Sequence, residues 1–93
     1  MEFDWSNPPF QFGGALTQQD VEESFEDPFS LKLLPDGNDG GMNARYFNLG
    51  RSLGGTAIFS VFWTDGKRYR VIYARPMTVE EAYFYERKKA EEI

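Results

Sequence analysis

Cysteine and histidine are both missing from this 93-residue chain. Without cysteine there are no disulfides and no thiolate metal sites. Without histidine there is no imidazole-held zinc, and catalysis by a Ser-His or Cys-His pair is excluded as well. No apolar run approaches the roughly 20 residues that a membrane-spanning helix needs. Nor does the start, Met1-Glu2-Phe3-Asp4-Trp5, carry the basic opening and apolar middle of a secretory leader. The expectation is a soluble, cytoplasmic protein with no cofactor and no metal.

Positive charge is scarce and unevenly placed. The chain has 10 basic and 15 acidic residues, a net charge of −5. Residues 1–42 hold nine acids and one base, Lys32, whereas residues 43–76 hold six bases and one acid, Asp65. Residues 77–93 return to an acidic balance, five against three. An evenly spread −5 would argue against an RNA partner; a basic middle between acidic ends does not.

Aromatic residues are plentiful. Nine Phe, five Tyr and two Trp, within 41% hydrophobic residues, supply the core of one small domain spanning residues 1–93. Residues 1–16 read as an irregular segment, with Met1 to Trp5 as a short edge strand at most, Phe3 and Trp5 on one face. Asn7-Pro8-Pro9 and Gly13-Gly14 then interrupt any regular element.

Thr17 is placed to cap a helix over 17–27, with Asp20 at the third position and Leu16 and Val21 spaced as a hydrophobic staple. Asp27-Pro28 ends it. Residues 29–75 read as an antiparallel sheet of three to four strands: Phe29–Leu34, Ala44–Leu49 closed by Gly50, Thr56–Trp63 and Arg68–Arg75. The last two are joined through Asp65-Gly66, a two-residue hairpin signal. A C-terminal helix over 78–92 begins with the capping box Thr78 to Glu81, and Val79, Ala82, Tyr83, Glu86, Ala90 and Ile93 mark one face. The fold class is α+β, with both helices packed on the sheet.

A two-residue turn would pair Thr64 with Lys67. One hairpin face then carries Ala57, Phe59, Val61, Trp63, Ile72 and Ala74, with Arg68 and Arg70 near the tip, and is the expected core. The other carries Ile58, Phe62, Tyr69, Val71, Tyr73 and Arg75, a mixture of rings and arginine suited to stacking bases beside phosphate. A longer loop would change the pairings.

An ordered set of short motifs runs along the chain: Trp5, Phe25-Glu26-Asp27-Pro28, Arg45-Tyr46-Phe47-Asn48-Leu49-Gly50, Ile72-Tyr73-Ala74-Arg75, Glu81 and Tyr85-Glu86. The set resembles the BrnT toxin family, whose fold is related to the RelE ribonucleases. The resemblance covers roughly residues 16–87. It implies a ribosome-independent endoribonuclease toxin, neutralised by a BrnA-like antitoxin with a ribbon-helix-helix DNA-binding part, so that DNA is met only through the antitoxin. It also implicates Arg75 and Glu81 in toxicity. Gly13-Gly14-Ala15-Leu16 stands where members carry Lys-His-Gly-Val, Ala82 where they carry Arg, and Tyr73 where they carry Ser.

RNA cleavage of this kind needs a base for the 2′-hydroxyl, a cation for the phosphorane and an acid for the 5′-oxygen. Arg75 is the candidate cation, because a guanidinium stays charged and fits phosphate through two bonds at once. Glu81 is the candidate base, and Tyr85, one turn further on, a candidate for positioning substrate or donating a proton. Arg45, Arg51, Lys67, Arg68, Arg70 and Tyr73 are candidate RNA contacts. Each has a plainer reading: Arg75 in an ion pair with Glu81 or Glu80, Glu81 as a cap, Tyr85 in the core, the remaining bases solvated. A catalytically weakened member of the same fold, binding or regulating another protein, is the second expectation.

Overall fold

The computed structural model describes residues 2–5, 16–33 and 45–91. The Pro8-Pro9 and Gly13-Gly14 joints, the turn from Pro35 to Gly41, and the ends at Leu34, Ala44, Glu92 and Ile93 lie outside them. The elements run β1 (Glu2–Phe3), α1 (Gln18–Glu26), β2 (Leu31–Leu33), β3 (Tyr46–Arg51), β4 (Ala57–Thr64), β5 (Arg68–Pro76) and α2 (Val79–Glu91). They form one α+β unit around a sheet ordered β1-β5-β4-β3-β2. Among the described residues no helix is long and apolar enough to cross a membrane.

The sheet has five strands and is mixed, where an all-antiparallel sheet of three or four is expected from sequence. The added strand is β1, which joins β5 in parallel with Glu2 opposite Arg68 and Phe3 opposite Tyr69. No hairpin dictates its direction; its rings do. Phe3 stacks on Trp5 and meets Phe25 edge-on, and the Trp5 indole donates to Glu22 of α1 at 2.6 Å.

α1 begins as its sequence dictates: the Thr17 hydroxyl accepts from the Asp20 amide while the Asp20 carboxylate accepts from the Thr17 amide. Val21, Ser24 and Phe25 turn inward, and Val21 and Phe25 join Ile58, Phe62, Val71 and Ala74 in the core. Burying each of the larger of these side chains is worth about 1.5–3 kcal/mol. Gly50, expected to close β3, lies inside the strand at its closest approach to α1. A Cβ there would sit 2.0 Å from the Ser24 carbonyl oxygen.

On β4, and on β5 as far as Val71, the buried face is the reverse of the one expected, whereas Ala74 is buried as expected. Thr64 pairs with Tyr69 rather than Lys67, because the Asp65 carboxylate draws in the amides of Lys67 (2.8 Å) and Arg68 (3.0 Å) and makes a wider turn. Gly66 takes the positive φ of +92° that this turn requires. Further along, Phe62 pairs with Val71 but Val61 with Tyr73, leaving Ile72 as a bulge. That extra residue inverts the alternation of β5. Ile58, Ser60, Phe62 and Val71 face α1, and the bulge brings Ala74 onto that face while Tyr73 and Arg75 turn to the opposite one beside Val61 and Phe59.

α2 crosses that second face, and its inward side also differs from expectation. Val79 is 87% and Tyr83 66% exposed, whereas Tyr85 is buried and Glu81 and Phe84 are half-buried. Glu81 and Phe84 hold the helix against the sheet, and Tyr85 and Lys89 hold it against the turn between α1 and β2, with no aliphatic stripe between.

Candidate functional site

Arg75 and Glu81 meet at the junction of β5 and α2. The strand ends at Pro76, which cannot donate to a ladder, and the Met77 amide still bonds the Ala57 carbonyl at 2.9 Å. Thr78 then caps α2: its hydroxyl accepts from the Glu81 amide at 3.1 Å, and Glu81 accepts from the Thr78 amide at 2.9 Å. That box fixes the Glu81 carboxylate against Arg75. Nη1 donates to Oε1 at 2.8 Å and Nη2 to Oε2 at 2.9 Å, a two-pronged pair. Nη1 also donates to the Pro76 carbonyl at 3.0 Å.

Phe59, opposite Arg75 across the β4–β5 ladder, places its ring 4.3 Å from the guanidinium carbon. The pair is neither buried nor free in solvent, with side-chain exposures of 30% and 25%. The Arg75 hydrogen bond holds the Glu81 carboxyl below its ordinary range, against the effect of partial burial, with the Thr78 amide adding to it. Arg75 is shifted up, chiefly by the same bond. The arrangement offers a fixed cation on an aromatic floor and a carboxylate already committed to it.

Beside this pair lies a groove of about 570 Å³ lined by Leu33, Phe47, Leu49, Phe59, Phe84, Thr78, Glu80 and Glu81. Its walls are chiefly apolar, and its rim at the start of α2 is acidic.

Tyr85 belongs to a different cluster, one turn further along the same side of α2. Its hydroxyl donates to Asp27, whose carboxylate also accepts from the Phe29 and Arg51 amides at 2.9 Å each. Burial works against a charge on Asp27, but these three donors outweigh it and hold its carboxyl below the usual value. Burial raises the Tyr85 phenol, and the bond to Asp27 raises it further. Glu81 and Tyr85 thus follow one another on the helix yet serve separate places: one lines the groove, the other a cavity of about 360 Å³ with Asp27, Phe29, Arg51, Leu53 and Lys89.

The other candidates divide in the same way. Arg51 donates to the Gly55 carbonyl at 2.9 Å, pairs with Glu86 at 2.8 Å and lies 5.6 Å from the Tyr85 ring, so it ties α2 to the end of β3. Arg70 pairs with Asp4 at 3.2 Å and lies 5.6 Å from the Trp63 ring. Lys67 and Arg68 are exposed at the hairpin turn, and Arg45 is exposed just before β3. Tyr73 is 42% exposed. By strand alternation Arg45, Trp63, Arg70, Tyr73 and Arg75 share the second face. Seven residues separate Arg68 from Arg75, roughly 20 Å of strand, so the tip bases would flank Arg75 rather than join it.

Three residues of these sites are not singled out by sequence. Asp27 reads there as a helix stop, although an Asp directly before Pro at a helix end is also a free acceptor. Phe59 reads as core, and only the bulge reveals it as the floor beneath Arg75. Phe84 falls off the expected face of α2. No protein-family model matches the chain, and no curated protein matches it either.

Proposed function

We propose that this chain is a BrnT-like toxin of a toxin–antitoxin pair, a cytoplasmic, metal-independent endoribonuclease that works through Arg75 and Glu81. The observation that carries the reading is the Arg75–Glu81 pair itself, two-pronged, half-exposed and resting on Phe59 at the edge of a face that also bears Trp63, Arg70 and Tyr73. Arg75 would hold the non-bridging oxygens of a phosphodiester. The 2′-oxygen attacks phosphorus while its proton passes to Glu81, and the bond to the 5′-oxygen breaks. The products are a 2′,3′-cyclic phosphate and a 5′-hydroxyl. Tyr85, with its proton held by Asp27, is placed to support α2 rather than the leaving oxygen, which takes its proton from water.

A second reading is favoured by the groove: a catalytically weakened member of the same fold that binds or regulates another protein. The apolar walls and the acidic rim at Glu80 suit an antitoxin segment with apolar anchors and a basic residue. Expression of the wild type and of Arg75→Ala without any partner separates the two. Growth arrest with RNA cleavage that Arg75→Ala removes supports the enzyme. A wild type that neither arrests growth nor cleaves RNA, yet captures a ribbon-helix-helix partner, supports the binding module.

A further inference from the structure

We infer that Glu81 occupies the phosphate seat of Arg75 as an internal stand-in, and that the incoming phosphodiester displaces it, freeing the carboxylate in the same event. The inference rests on the reading of Arg75 as the phosphate-binding group. A carboxylate presents two oxygens to a guanidinium with nearly the geometry of two phosphate oxygens. Glu81 fills that fork at 2.8 and 2.9 Å, and the Pro76 carbonyl takes a further hydrogen of Nη1 at 3.0 Å. In this closed form the Nη1–Nη2 edge that meets Glu81 has no room for a two-pronged phosphate, and both Glu81 oxygens are engaged.

Opening has a small cost because each partner keeps other support. Phe59 lies 4.3 Å from the guanidinium carbon and holds it in place after Glu81 leaves. Glu81 retains the Thr78 amide at 2.9 Å, so α2 keeps its cap. What is lost is one partly exposed ion pair. A phosphodiester that takes Arg75 also restores the basicity that Arg75 suppresses in Glu81, so binding and activation of the base become one step.

The test is affinity for a short fluorescein-labelled single-stranded RNA, 2′-O-methylated so that it cannot be cleaved, read by fluorescence anisotropy. Glu81→Gln keeps an acceptor for the Thr78 amide but gives up the charge. It should bind about fivefold more tightly than wild type, the equivalent of about 1 kcal/mol, while losing cleavage of unmodified RNA. Glu80→Gln, which removes the adjacent exposed acid, should change affinity much less. The double variant Arg75→Ala/Glu81→Gln should bind no better than Arg75→Ala.

Equal or weaker binding by Glu81→Gln, or an equal gain in Glu80→Gln, overturns the displacement while leaving Arg75 as the phosphate site. Absence of Arg75-dependent binding in every form overturns both. If Glu81→Gln fails to fold, the wild type decides by NMR. On addition of the RNA the Arg75 Nε–H and the Glu81 carboxyl carbon signals should move together, and movement of Arg75 alone overturns the inference.

Discussion

The Tyr85 hydroxyl donates to the carboxylate of Asp27, so the middle of the last helix is tied to the residue that ends the first. Asp27 is in turn held by the Phe29 and Arg51 amides. One acidic side chain thus gathers α1, the turn into β2, the end of β3 and α2. Removing the phenol strands part of a carboxylate that is partly withdrawn from water, which costs about 1–3 kcal/mol. Tyr85→Phe should lower stability by that amount in chemical denaturation, with little change in the m-value.

The same bond sets an alkaline limit. Folding raises the Tyr85 phenol above its ordinary value, so its contribution is complete below about pH 10 and is lost as pH climbs above that. Thermal melts across the alkaline range should show wild-type stability falling more steeply than that of Tyr85→Phe.

The acid limb has the opposite sign. Asp27 and Glu81 both lie below their ordinary values in the folded chain, so the unfolded chain takes up protons first as pH falls. Their stabilisation is full above about pH 5 and is lost progressively below about pH 4. Asp27→Asn, which offers one acceptor oxygen where three donors converge, should be destabilised by about 2–3 kcal/mol at neutral pH. Its melting temperature should also fall less steeply on acidification.

Gly50 tests the contact between α1 and the sheet. A Cβ at this position meets backbone, the Ser24 carbonyl oxygen at 2.0 Å, so neither rotamer change nor side-chain movement relieves it. Gly50→Ala should cost about 3 kcal/mol or more, at the upper end for an overpacked core. The measurement is the midpoint of urea unfolding, and an unchanged midpoint would mean that α1 sits further from β3.

Local chemistry in the chain foretells much of this architecture. Thr17 and Thr78 announce both helix starts because each capping box is complete within four residues, and Pro28 and Pro76 mark ends through the missing amide. The strands follow from β-branched and aromatic runs. Which face of the hairpin is buried was not legible, since it is set by where Val21 and Phe25 of α1 pack, and the Ile72 bulge then decides the facing of Tyr73, Ala74 and Arg75. A one-residue change reverses every side chain downstream. The Arg75–Glu81 pairing was visible as one alternative, because the capping box and the strand end adjoin in sequence. The Asp27–Tyr85 link spans 58 residues and follows from tertiary packing alone.

RNA contact carries a salt signature. If RNA that meets Arg75 also meets flanking bases such as Arg45 and Arg70 on the second face, affinity for single-stranded RNA should fall steeply with added salt, by a log–log slope of about −0.7 per phosphate engaged. Arg75→Ala should reduce that slope by about one such unit, and Arg51→Ala, whose guanidinium is spent on Glu86 and Gly55, should leave it nearly unchanged while lowering stability.

Cleavage of RNA by the purified protein, in the presence of a chelator, tests the central claim most directly. The wild type should yield fragments ending in 2′,3′-cyclic phosphate and starting with 5′-hydroxyl, and Arg75→Ala, folded by circular dichroism, should yield none above background. Intact RNA with the wild type, or equal cleavage by Arg75→Ala, would contradict the account.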